Sequence, residues 1–340
     1  MQQNGLDKPF AGTCAKKTPI TQIDEYFRIG NYTTSLHIID GNGSAKYLSS
    51  TIDAVYSDGA PDSPPDIADR ILKKEQEMEA ARRSGNSKVW DGIGVGIKEY
   101  HILRSDDEKH LKMAIQLYKS RYAAFQATVI EIGSEDRANP NSIYQKHLSK
   151  HEPQNVIPYL ARNVGIVAVV ITKDDWVILC KRGEMSAVRK GEYDASVVEG
   201  IEPIKDADST NMRQRINIFQ SIARGCSEEL GFTPSFDEIN ILGFGVDMRF
   251  YQYNFICTIH SRLTLDDIKS DRNGTAIDKW ETRLFTLKYG IDEVLEFINE
   301  NKMWAFAMAA LYWALLEKHL PIAVEARAKQ IVVRSDNYVP

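Results

Sequence analysis

The stretch RGCSEELGF, Arg224 to Phe232, decides how this chain is read. It closes a helix expected over Met212–Leu230, with Gly231 just past the end as a C-cap glycine. On a helical wheel Phe219, Ala223, Cys226 and Leu230 form an apolar stripe. Ser221, Arg224, Gly225 and Glu228 lie on the opposite side, with Glu229 at their edge. Adjacent glutamates in a last turn oppose the helix dipole, which favours cations there. Arg224 stands four residues before Glu228 and can pair with it, offsetting part of that cost. Gly225 is equally unexpected, because a mid-helix glycine costs about 1 kcal/mol relative to alanine. Two readings fit these residues. One is an ordinary amphipathic surface helix. The other is a carboxylate pair held for a hard divalent cation, with Gly225 letting backbone or ligand come close.

Outward from this helix the order of elements defines a fold class. Upstream, VGIVAVVIT from Val164, the turn KDD and WVILC make an apolar hairpin of buried-strand type. A loop, KRGEMSAVRKGEY, leads to the strand-like DASVVEG that ends at Gly200. Downstream, apolar runs at Ile239–Val246 and Phe250–Ile259 read as strands. A loop at Asp266–Asp278 follows, then the strand ETRLFTL and helices near Asp292–Asn299 and Trp304–His319. Strands on both sides of one long helix imply an α/β protein, a mixed sheet sandwiched by helices.

The polar stretch between Gly133 and Gln154 is the best boundary, giving an N-terminal α+β module at 1–155, a second domain at 156–322 and a C-terminal tail at 323–340. Within the module a strand is expected at Ser35–Asp40. The turn-rich SDGAPDSPPD precedes a charged helix over Ile67–Arg83, GIGVGIKEYHIL and KHLKMAIQLY read as two strands, and Tyr118–Ile132 as helical.

Composition narrows the function. The 340 residues are 43% hydrophobic and 26% charged, as expected of a folded globular protein. With 42 basic and 47 acidic residues the net charge is −5, which gives no global attraction to nucleic acid or an anionic membrane. Cys14, Cys180, Cys226 and Cys257 have neither disulfide-frame nor zinc spacing and read as buried thiols in a reducing, cytoplasmic setting. The apolar run Met303–Leu316 is shorter than the roughly 20 residues of a membrane span and reads as a buried helix.

The segment from Gly200 to Phe232 resembles the Nudix box, G-x5-E-x7-R-E-U-x-E-E-x-G-U with U a bulky apolar residue. Arg224, Cys226, Glu228, Glu229, Gly231 and Phe232 fall on its fixed positions, Gly200 on the first glycine and Asp206 where the family has glutamate. The resemblance covers Val164 to His319. It implies a Nudix-like α/β/α sandwich with a mixed sheet, and a Mg²⁺- or Mn²⁺-dependent hydrolase acting on a diphosphate linkage in a nucleotide or nucleoside-diphosphate derivative. Two departures stand out. Asp206 and Arg224 are eighteen positions apart where the family has eight, an insertion of ten residues. Gly225 replaces the glutamate that commonly binds metal or helps activate water.

By that resemblance Glu228 and Glu229 hold the metal and join Arg224 in the catalytic set. The missing carboxylate is sought in Glu199 or Glu202, beside Gly200. Attack of water on a bond between two anions needs a metal that neutralises charge and lowers the pKa of water. It also needs a base, for which Glu281 ranks ahead of Asp278, Glu199 and Glu202. Lys181 and Arg182 are candidates for binding phosphates, and Trp280, Tyr251 or Trp90 for stacking on a base, although charged hairpin ends and core aromatics are the commoner roles of such residues.

The partners expected are a nucleotide-type small molecule and, compatibly, a second copy in a homodimer. The alternative is a catalytically degenerate Nudix domain that senses a nucleotide or binds a protein; another diphosphate chemistry, such as isomerisation, is a third option. GIGVG at Gly92–Gly96 is no dinucleotide fingerprint, and His147 and His151 lack a third metal ligand.

Overall fold

Val164–Ile171 is apolar and buried at every position, the mark of a strand covered on both faces. In the computed structural model, residues 26–84, 92–103, 110–183, 189–207, 215–277 and 282–338 are described. In chain order, β1 (Arg28–Ile29) pairs with β2 (Tyr32–Thr33), and β3 (Leu36–Gly41) and β4 (Lys46–Ser57) follow. Helix α1 (Pro65–Arg83) starts on the expected proline and leads to the antiparallel pair β5 (Ile93–Leu103) and β6 (His110–Arg121). The chain then coils through α2 (Tyr122–Phe125), a π turn at Gln126–Ile130 and α3 (Glu131–Ser134). Next come β7 (Val164–Ile171), β8 (Trp176–Arg182), β9 (Tyr193–Asp194), β10 (Val197–Gly200) and β11 (Arg215–Ile216), then α4 (Ile218–Leu230). The last part holds β12 (Ile239–Asp247), β13 (Gln252–His260), α5 (Leu265–Thr275), β14 (Thr282–Lys288), α6 (Ile291–Glu300), α7 (Ala305–Lys318) and α8 (Pro321–Ile331).

Among the described residues all strands but β1 and β2 join one mixed sheet, whose main path runs β14-β8-β7-β13-β12-β4-β6-β5. β13 lies parallel to β7 from Tyr253↔Val164 to His260↔Ile171, and β4 lies parallel to β6. One edge of β7 is divided: β10 pairs with Gly165–Ala168 and β8 with Val170 and Ile171. Alternation then sorts side chains to two cores. Val164, Ile166, Ala168 and Val170 face a core shared with α1, α4 and α5. Val167, Val169 and Ile171 face a second core made largely by α6, α7 and α8. The protein is therefore α/β, with helices on both faces of a large mixed sheet. Strands from both sides of the 155/156 boundary share that sheet: β3 and β4 pair with β12, and Ile67, Val95 and Ile115 lie in one core with Ile166 and Phe255.

Several elements differ from the sequence reading, among them β4, where no strand was expected, and β6, which runs to Arg121 into the segment Tyr118–Ile132 read as helical. The segment read as a loop at Asp266–Asp278 contains α5, started by a capping box between Thr264 and Asp267; only Leu265 and Ile268 are buried, so its periodicity is faint. Helix α4 begins at Ile218 rather than Met212, because Asn217 caps it and Arg215–Ile216 pairs with Val55 and Ala54 of β4. The stretch read as a tail carries most of α8, which sets Val324 and Ala328 one turn apart against the second core. Helix α7 is buried from Ala305 to Leu315, as its composition requires. Among the described residues no helix is long and apolar enough to cross a membrane.

Candidate functional site

The site forms where α4 crosses β10. Asn217 Oδ1 accepts the N–H groups of Phe219 and Gln220 at 3.1 and 3.4 Å, and Gly231 ends the helix at φ 80°. Between these caps the wheel's polar side is not solvated: Ser221, Arg224 and Gly225 are buried. Gly225 explains how. A Cβ there would lie 2.7 Å from Val197 Cγ1, 3.1 Å from Glu199 Cβ and 3.4 Å from Glu199 Cγ. The glycine lets helix and strand close up, and Glu199 takes the freed space.

Arg224 organises the acids. Its Nε donates to Asp206 Oδ1 at 2.8 Å, and its Nη2 to Asp206 Oδ2 at 3.0 Å and to the Gly200 carbonyl at 2.7 Å. Asp206 is wholly buried, and its Oδ2 also accepts the Glu202 N–H at 2.8 Å. The remaining nitrogen, Nη1, faces three glutamates: Glu228 at 3.0 Å, Glu199 at 3.2 Å and Glu202 at 3.5 Å. Lys205 Nζ bridges Glu202 and Glu228 at 3.1 and 3.3 Å. Four carboxylates against Arg224 and Lys205 leave a formal −2 when all are ionised. Burial, set against Arg224 and reinforced by Glu228 and Glu202, pushes the Glu199 carboxyl up to about 7. Burial alone would lower the Arg224 pKa, but the Asp206 hydrogen bond and the surrounding carboxylates reverse this and keep it protonated.

Carboxylate oxygens of Glu199, Glu202 and Glu228 all lie within 4.8 Å of one another. Octahedral Mg²⁺ holds oxygens about 2.1 Å away, so opposite ligands stand about 4.2 Å apart. Three carboxylates are the donor type a hard cation takes, but here they face Arg224 Nη1, and Lys205 Nζ bridges two of them, so a bound ion would have to displace these contacts. Glu229 does not join them: its Oε1 accepts the Val198 N–H at 3.1 Å.

The other sequence candidates scatter. Lys181 Nζ lies 4.8 Å from the centre of the Tyr193 ring, and Arg182 Nη1 is 3.6 Å from Asp194. Tyr251 is fully buried, with its hydroxyl accepting the Ile157 N–H at 2.8 Å, so it is a core residue. His147 bonds Asp66 and Tyr159, and His151 the Asn155 carbonyl. Glu281, Asp278, Trp280, Trp90 and Cys14 lie outside the described residues. Burial raises the thiol pKa of Cys226 and Cys257, which suits structural cysteines.

Sequence reasoning missed a neighbouring cavity of about 210 Å³, walled by Glu199 and Glu202 on one side and by Arg121, Tyr122 and Phe125 on another. Besides Glu199, Gly200 and Glu202, its early trace was GIGVG, whose Gly92, Ile93 and Gly94 supply part of the lining at the start of β5 rather than as a phosphate loop. It also missed Lys205. A scan of the chain against protein-family models finds no match, and no curated protein matches it in sequence.

Proposed function

We propose that this chain is a divalent-metal-dependent hydrolase of a diphosphate linkage in a nucleotide or nucleoside-diphosphate derivative. Its residues 156–322 form a Nudix-like α/β/α sandwich, and residues 1–155 an accessory α+β module. One observation carries the reading: Glu199 Cβ sits 3.1 Å from where a Cβ on residue 225 would be. The carboxylate missing from the helix is thus supplied by the adjacent strand, facing Arg224 and Glu228. The order Gly200, Asp206, Arg224, Glu228 in sequence also converges in space through one guanidinium.

In this reading Glu199, Glu202 and Glu228 hold Mg²⁺ or Mn²⁺. The metal would supply charge neutralisation of the diphosphate and a lowered pKa for the attacking water. Asp206 fixes Arg224, and Arg224 aims Glu228. Glu199 must be ionised to act as a ligand, so the ion would draw its raised pKa back down. Glu229 tightens β10 against α4.

The test is phosphate or pyrophosphate release over a panel of nucleotide derivatives, with Mg²⁺ and with chelator. Metal-dependent release, lowered at least tenfold (about 1.4 kcal/mol) by Glu199→Gln, is expected. Release that survives chelation sinks the metal assignment. A second reading, a nucleotide sensor without turnover, is favoured by Lys205, which already bridges Glu202 and Glu228. Inactivity of the wild type over the panel, with release only from Gly225→Glu, decides for that sensor.

A further inference from the structure

The cavity beside the carboxylates is lined from both sides of the 155/156 boundary. Where β6 ends and α2 begins, Tyr122 and Phe125 present two half-buried rings 5.6 Å apart and tilted by 34°. Arg162, 6% exposed, lines the same space. Its Nε is held by the Tyr159 carbonyl at 3.0 Å and its Nη2 by Ser63 Oγ at 2.6 Å, while Nη1 makes no hydrogen bond among the described residues. The Asn163 carboxamide also lacks a hydrogen bond among the described residues. Its Oδ1 lies 3.9 and 3.8 Å from where Cβ atoms on Gly94 and Gly200 would be. A fixed guanidinium and a free carboxamide beside a two-ring wall are the elements of recognition for a flat heteroaromatic group.

Volume sets how much of a ligand enters. At about 210 Å³ the cavity falls below the roughly 300–1,000 Å³ of whole-ligand pockets, so it takes one end of a molecule. The other end then meets Glu199 and Glu202 on the shared wall. We infer that Tyr122, Phe125, Arg162 and Asn163 form the subsite for the nucleobase of a nucleoside-diphosphate substrate, so that residues on both sides of the 155/156 boundary set specificity and the carboxylates act on the diphosphate. This rests on the hydrolase reading above for what happens at the phosphates, but the base subsite has its own test.

That test uses the full chain in chelator with adenosine, guanosine, cytidine and uridine, which carry no phosphate and need no metal. Saturation-transfer NMR detects which base protons contact the protein. At least one nucleoside binds, and Phe125→Leu and Tyr122→Leu each weaken it at least tenfold. Leucine keeps apolar bulk but removes the ring, so an unchanged melting temperature separates loss of stacking from loss of fold. Absence of binding by all four nucleosides overturns the inference, as does wild-type affinity in both variants. Phe125-dependent binding without any hydrolysis leaves the subsite standing and removes the hydrolase reading. Hydrolysis that depends on Glu199 while KM ignores Phe125→Leu does the reverse.

Discussion

Helices α4 and α7 press on opposite faces of one sheet and are both buried along most of their length, but they bury different things. α7 presents Phe306, Leu311, Trp313 and other apolar groups, so each contact stands alone. α4 buries an arginine, whose cost is met only because Asp206 and the Gly200 carbonyl are in place. An apolar helix needs shape; a helix with a buried charge needs particular partners. The second kind of burial is the one that a site requires and a core does not.

Removing a partner should break this contrast most strongly. Arg224→Met leaves Asp206 charged and unpaired in the interior and is expected to cost about 3–5 kcal/mol. Adding Asp206→Leu should return much of it, because both charges are then gone. Phe306→Ala should cost a similar amount, about 3–5 kcal/mol, with no second-site rescue of that kind. Denaturant titration of these three variants and of Asp206→Leu alone measures this, and a strictly additive double variant would remove Asp206 as the reason for the loss.

Gly225→Ala sharpens the comparison at a contact that has no counterpart in a freely packed helix. Its methyl would meet Val197 Cγ1 at 2.7 Å, so a loss of about 1–3 kcal/mol is expected despite alanine's better helix propensity. Val197→Ala in the same chain should recover part of it. A stabilised Gly225→Ala protein would show that the helix and strand have slack.

The pH dependence is smaller and has a definite sign. Glu199 is raised to about 7 in the folded chain from an ordinary 4.5, so protons bind the folded state better. Its contribution is complete below about pH 4.5 and is lost as pH rises through about 7. Thermal melts at about pH 6 and about pH 8 should show this loss, with Mg²⁺ stabilising more at the higher pH. The Glu199→Gln protein should lack both effects; if it keeps them, another group is responsible. Smallest of all, Glu229→Gln should cost about 1 kcal/mol in stability and lower turnover less than Glu228→Gln, since Glu229 is engaged by a strand N–H.

How far the sequence could be read follows from the range of each signal. Short-range patterns were legible: the apolar run of β7, the C-cap glycine and stripe of α4, and the pairing of Arg224 with Glu228 four residues on. Nearness to Gly200 sufficed to nominate Glu199 and Glu202, but not to separate Glu228 from Glu229, because that choice depends on how α4 is rotated over β10. α5 escaped because two buried residues make no stripe, although Thr264 and Asp267 carried its start. The cavity was out of reach. Its walls come from the end of β6 and from β10, brought together through β4, β12, β13 and β7.

β10 pairs with β7 along one side, and among the described residues no strand pairs with its other side. Such an edge offers unpaired N–H groups to any passing strand and invites aggregation. Here the Val198 N–H is taken by Glu229 and the Gly200 N–H by Glu199 at 3.0 Å. Two side-chain carboxylates stand where a neighbouring strand's carbonyls would dock, so this border of the sheet is closed to a second chain by negative charge.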